Sequence, residues 1–107
     1  MARGALQRQR PVEFVGSAKD DLSSFPPEVK LVTGFALRQI QSGKMHPDAK
    51  QMKGEFRDII EISVDDEWGE RTFRTACTTK IGDVVYVLHA FQKSQNPESR
   101  PRNASSI

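Results

Sequence analysis

A chain of 107 residues with 36% apolar and 28% charged residues is sized for one small soluble domain with a modest core. Its net charge of +2 sits at the ends: Arg3, Arg8, Arg10, Arg100 and Arg102 supply it, while Val12 to Lys93 holds eleven Lys/Arg against thirteen Asp/Glu. That excludes tight, non-specific binding to a phosphate backbone by the folded part, and leaves RNA contact to a local cluster.

Residues 1–11 are polar and basic, end in Pro11, and are expected to be disordered. They lack the apolar run of about 7–15 residues that a secretory signal needs, and no stretch of the chain approaches the roughly 18 apolar residues of a membrane span. With a single cysteine, Cys77, no internal disulfide can form, which suits a reducing compartment; the expected location is cytoplasmic. Val12 to Val15 reads as a short strand closed by Gly16. Ser17 to Ser24 reads as a short helix with Ser17 as its cap and Asp20 and Asp21 in its first turn. Pro26-Pro27-Glu28 opens a longer helix, where a first-turn proline costs no hydrogen bond. Val29, Val32, Ala36 and Ile40 recur at helical spacing, Phe35 and Leu37 widen the stripe, and Gly43 stops it.

His46 to Phe56 reads as an irregular connection. Ile59 to Val64, Arg71 to Thr79 and Val84 to Phe91 are strands, joined by a hairpin loop at Asp65–Glu70 and a tighter one at Lys80–Asp83. Short consecutive hairpins make this meander antiparallel. The fold class is therefore α+β, a small antiparallel sheet with two N-terminal helices on one face. The predicted domain spans residues 12–93, and residues 94–107, with Pro97, Pro101 and almost nothing apolar, are expected to be a disordered tail.

Alternation assigns the faces. Glu61 and Ser63 oppose Ile60, Ile62 and Val64; Thr72, Arg74 and Ala76 oppose Phe73, Thr75 and Cys77. On the last strand Val85, Val87, His89, Phe91 and Lys93 oppose Tyr86 and Leu88. If Asp65 pairs with Glu70, Glu61 falls opposite Arg74; if Lys80 pairs with Asp83, Arg74 falls opposite His89. A bulge would break this register. Glu61, Arg74, His89 and Lys93 are thus expected to converge on the face away from the helices. Such a cluster suits cleavage of RNA by its own 2′-OH. Glu61 or His89 can take the proton, Arg74 can hold a phosphate, and Lys93 or His89 can supply acid or charge. No cofactor is required, and the two histidines, His46 and His89, lack metal-ligand spacing. Glu61 with Arg74 is equally an ordinary cross-strand ion pair, and His89 a rim histidine. Asp65 to Glu67 reads as a solvated tip, with Trp68 either tucked against the sheet or exposed to a partner. Cys77 among threonine and alanine reads as core filler.

Five segments carry a resemblance. They are Phe14-Val15-Gly16-Ser17, Phe25-Pro26-Pro27-Glu28-Val29, Ile60-Glu61-Ile62, Thr72-Phe73-Arg74 and, above all, Val84 to Lys93. In this order they resemble the RelE/HigB-like toxins of type II toxin–antitoxin systems, in their phage-derived branch. The resemblance implies a ribosome-dependent mRNA endoribonuclease with a helix-turn-helix antitoxin as partner, and ribosome and mRNA as targets. It carries functional positions over as Arg74 and Lys93, with Glu61 in the matching strand and His89 in the matching pattern. Two cations of the family pattern are replaced by Ser63 and Ser94. The family's C-terminal helix is not expected, because the chain runs into Asn96-Pro97-Glu98-Ser99. The departures favour the alternative of a non-catalytic binder on the same scaffold, gyrase-inhibitor-like or an inactive remnant that holds only its antitoxin.

Overall fold

The structure, a computed structural model, describes residues 9–94. Ser94, expected to begin the disordered tail, instead ends the last strand, paired with Arg71; the rest of the tail and the C-terminal helix considered above lie outside the described residues, as do residues 1–8. The elements run β1 (Val12–Phe14), α1 (Ala18–Ser23), α2 (Pro27–Gln41), β2 (Ala49–Gln51), a 3-10 turn (Gly54–Phe56), β3 (Ile60–Asp65), β4 (Arg71–Thr78) and β5 (Val85–Ser94). They form one five-stranded sheet in the order β1-β5-β4-β3-β2. The meander β3-β4-β5 is antiparallel as expected, β2 adds to it antiparallel, and β1 lies parallel to β5. Arg10 and Pro11, expected to belong to a disordered N-terminus, are instead tied to both layers: the amide of Arg10 donates to the Gln41 carbonyl, and that of Val85 to the Pro11 carbonyl. No helix among the described residues is long and apolar enough to cross a membrane.

The α2 helix begins as its sequence dictates, with Pro27 in the first turn and Glu28 near the positive end of the dipole. It ends at Gly43, whose φ of 81° only glycine adopts readily. Val29, Thr33, Ala36, Leu37 and Ile40 are its buried face. Phe35, expected in the stripe, is 59% exposed and stands edge-on to His46 instead. It lies six residues, about 240° of helix rotation, from Val29, and Thr33 takes the core position. Ser17 stands at the cap position of α1, but its hydroxyl donates to the Asp21 carboxylate at 2.8 Å rather than capping a backbone amide.

Helices and sheet share one core. Phe25, Val29, Ala36, Leu37 and Ile40 meet Ile60, Ile62, Val64, Phe73, Cys77, Val85, Val87 and Ala90. The Phe25 and Phe73 rings lie 4.9 Å apart in a tilted contact. The expected irregular stretch His46–Phe56 contains β2, whose Ala49, Lys50 and Gln51 pair with Ile62, Glu61 and Ile60. Three residues are too few to show an alternating pattern, so β2 arises from the edge that β3 offers.

Candidate functional site

Register decides which side chains meet. The first hairpin closes one residue later on both sides than expected. Asp65 pairs with Thr72 and Ser63 with Arg74, so Ala76, not Arg74, stands opposite Glu61. The cause is Asp66, whose amide donates to the Arg71 carbonyl and whose carboxylate accepts from the Glu70 and Arg71 amides. This Asx-type closure leaves Glu67-Trp68-Gly69-Glu70 as the loop, with Gly69 at φ 70°. Trp68 is 75% exposed, so the tucked alternative is excluded.

The second hairpin also departs from expectation. Arg74 pairs with Phe91 and Ala76 with His89, after which the register shifts so that Cys77 pairs with Val87. Leu88 is the extra residue, a β-bulge. The bulge turns Val85 and Val87 to the core and His89, Phe91 and Lys93 to the opposite face, so the expected sharing of one face by all five is corrected. Both slips preserve the faces of the polar residues, and so the cluster forms with different neighbours.

On that face three rungs of three residues lie side by side: Glu61, Ala76 and His89; Ser63, Arg74 and Phe91; Asp65, Thr72 and Lys93. Arg74 is central. Glu61, Asp65, His89 and Lys93 occupy its four diagonals, with backbones about 7–8 Å away, within reach of long side chains. Arg74 Nη1 donates to Glu61 Oε1 at 3.1 Å, and the two side chains are 31% and 19% exposed. Arg74 Nε is buried and has no hydrogen-bond partner among the described residues. Thr72 Oγ1 donates to Asp65 Oδ1 at 2.9 Å. His89 is exposed and lies against Phe91, with ring centroids 5.2 Å apart; among the described residues it makes no hydrogen bond to Glu61 or Arg74. Lys93 is exposed at the rung that closes on Thr72.

Of the four residues singled out in the sequence, the structure joins Glu61 and Arg74 directly and sets His89 and Lys93 on the same face without direct contact. Sequence reasoning missed Ser63 and Phe91 as the immediate neighbours of Arg74; only the position of Asp66 at the loop hinted at that register. β1 reaches only Val87, through the Val15 amide. The outer edge of β5 beyond it opens onto a pocket of about 350 Å³ lined by Asp21, Ser24, Phe25, Phe73 and His89 to Gln92. Among the described residues no three His, Cys, Asp or Glu side chains gather as a metal-ligand set. Cys77 is buried beneath this face, and burial pushes its thiol up to about 12.

No curated protein matches the sequence significantly. Among solved structures, the chain is similar to one chain of the toxin–antitoxin complex RelBE2 from Mycobacterium tuberculosis. The TM-score is 0.52 at 16% identity, covering 79% of this chain and 92% of that one. At that identity the likeness is one of fold, and it identifies the two-helix, five-stranded layer as a RelE-like toxin fold. A model of the family described as phage-derived protein Gp49-like matches residues 20–105. With most of its length accounted for in this way, the chain belongs to the Gp49-like family of phage-derived proteins and carries it on a RelE-like α+β fold.

Proposed function

We propose that this chain is the toxin of a type II toxin–antitoxin system, an endoribonuclease that cuts mRNA on the ribosome in the cytoplasm and is held in check by a helix-turn-helix antitoxin. The observation that carries this reading is Arg74 at the centre of the polar face, held from one side by Glu61 at 3.1 Å. A guanidinium with one nitrogen committed to a carboxylate still offers other N–H groups to phosphate oxygens.

In the proposed reaction the RNA 2′-oxygen attacks the adjacent phosphorus, the P–O5′ bond breaks, and a 2′,3′-cyclic phosphate is left. His89 is the base, because it can accept the 2′ proton without first giving up an ion pair, as Glu61 would have to. Arg74 binds the phosphoryl oxygens as charge develops on them. Lys93 lies four residues along the same strand, about 13 Å by backbone, on the far side of Arg74. It donates the proton that the 5′ oxygen takes. Glu61 fixes the guanidinium in place. The fold likeness and the family support a toxin role; the roles of the four residues rest on the geometry of the face.

The deciding experiment maps mRNA 5′ ends in a translating extract with wild type beside Arg74→Ala, each shown by circular dichroism to be folded. In-frame cuts with wild type and none with Arg74→Ala are the expected result. No cuts from folded wild type would leave the second reading, a binder without catalysis. One observation favours that reading: Ser63, directly opposite Arg74, brings no charge to the centre of the site.

A further inference from the structure

The outer side of α2 carries a notch that the described chain itself does not use. Gly34 lies in the interior of this 15-residue helix and is exposed. A Cβ placed there would meet nothing within 4 Å, so no close approach from elsewhere in the described chain calls for glycine. In a helix interior glycine is disfavoured against alanine, and its presence asks for a use outside the chain.

The surrounding side chains give the notch a shape and a sign. Lys30 and Arg38, each four residues from Gly34, form one surface ridge with a gap at Gly34. Leu31 and Phe35 form the ridge beside it. Leu31 is 76% and Phe35 59% exposed. These five residues enclose a shallow pocket of about 300 Å³ whose lining includes no carboxylate. Neither Lys30 nor Arg38 has an ion-pair partner among the described residues.

We propose that the Gly34 notch is where the antitoxin docks, through an acidic amphipathic helix that seats one large apolar side chain over Gly34 and sets carboxylates against Lys30 and Arg38. This inference rests on the toxin–antitoxin reading. Charge selects the occupant. Across a two-fold axis a second copy would bring its own Lys30 and Arg38 against these two, a repulsive contact. A gap in a ridge flanked by long side chains is also the shape that receives a knob from another helix.

The test titrates the purified chain with the product of the small reading frame adjacent to its gene by isothermal calorimetry. Gly34→Leu fills the notch with a strong helix former, so the free variant is expected to melt no lower than wild type. Its dissociation constant for the antitoxin should rise at least about tenfold, as for loss of a central interface pocket. Lys30→Glu with Arg38→Glu should weaken binding comparably and flatten its dependence on salt. Wild-type affinity in both variants would overturn the inference while leaving the toxin–antitoxin reading intact. Failure of wild type itself to bind would overturn that reading and the inference with it. A free wild-type dimer that Gly34→Leu dissociates, seen by light scattering, would assign the notch to self-association and overturn the proposal.

Discussion

The pairing of Glu61 with Arg74 can be tested by a double-mutant cycle. The perturbations are Glu61→Gln and Arg74→Met, which keep most of the side-chain volume and remove one charge each. Two unit charges about 4 Å apart attract by about 4 kcal/mol at an effective dielectric constant near 20. Desolvation takes back much of this, because the contact at 3.1 Å is made by side chains only 19% and 31% exposed. Exposed pairs couple by about 0.2–1 kcal/mol, and breaking a fully buried pair costs about 3–5 kcal/mol. This pair stands between the two, and the expected coupling is about 1–2 kcal/mol. Arg74→Met should be the costlier single change, because it strands a half-buried carboxylate, whereas Glu61→Gln leaves an amide that can still accept from Nη1. In urea, with a slope of about 1–2 kcal/mol per molar for a domain of this size, a 2 kcal/mol loss moves the midpoint by about 1 M or more. Raising the salt to 0.5 M should reduce the coupling by less than half, since partly buried charges are screened weakly. A coupling below about 0.3 kcal/mol would refute the argument that Glu61 holds the guanidinium in place. The proposed division of roles between Glu61 and His89 would fall with it.

Two further outcomes follow from the core. Ile62 is fully buried on β3, so Ile62→Ala should cost about 3 kcal/mol in urea unfolding, within the range for large-to-small core changes; a loss under 1 kcal/mol would contradict its placement beneath α2. Cys77 has its thiol raised from 9.0 to about 12 by burial. The unfolded chain therefore releases this proton first, so the stability it confers is complete below pH 9 and is lost as pH rises from about 9 towards 12. At pH 10 the loss is on the order of 1 kcal/mol. It should appear as a steeper decline for wild type than for Cys77→Ala in pH-dependent unfolding, with the native thiol slow to react with Ellman's reagent. Equal slopes for the two proteins would show that the thiol is not held in the apolar layer.

The layers of the fold were legible because periodicity reports burial. The two helices, the antiparallel meander and the apolar face of β3 all follow from it. What was not legible depends on contacts distant in sequence. The parallel seat of β1 against β5 requires the whole helical layer to cross between them, and no local pattern encodes where β1 lands. Phe35 widens the apolar stripe of the helix in sequence, but Thr33, four residues from Val29, has the better helical phase and takes the buried position. Both hairpin registers were off by small slips. In the first, Asp66 rather than Asp65 starts the turn, because its carboxylate satisfies the two amides that the loop exposes. Glu61, Arg74, His89 and Lys93 nevertheless share the expected face: in the first hairpin a shift by one residue on both arms conserves parity, and in the second the bulge at Leu88 restores the parity that a one-residue shift near the turn changes.

The bulge at Leu88 explains how one strand serves two ends. Strict alternation from Val85 to Lys93 would place two valines and the three residues His89, Phe91 and Lys93 on the same side. With that side to the helices, the imidazole and the ammonium would be buried in an apolar layer without partners, at a cost of several kcal/mol. With that side to the open face, Val85 and Val87, both 0% exposed, would be lost from the core. One unpaired residue changes the phase between Val87 and His89. Ala90 then takes the next core position at 3% exposure, small enough to lie over Thr75. Arg74 needs no such device, because β4 alternates without interruption from Arg71 to Ala76 before the shift. The candidate site is therefore assembled at the point where β5 leaves the register of its own core. A change that erases the bulge would disturb both layers together, and the apolar half of this strand cannot be repacked independently of the polar half.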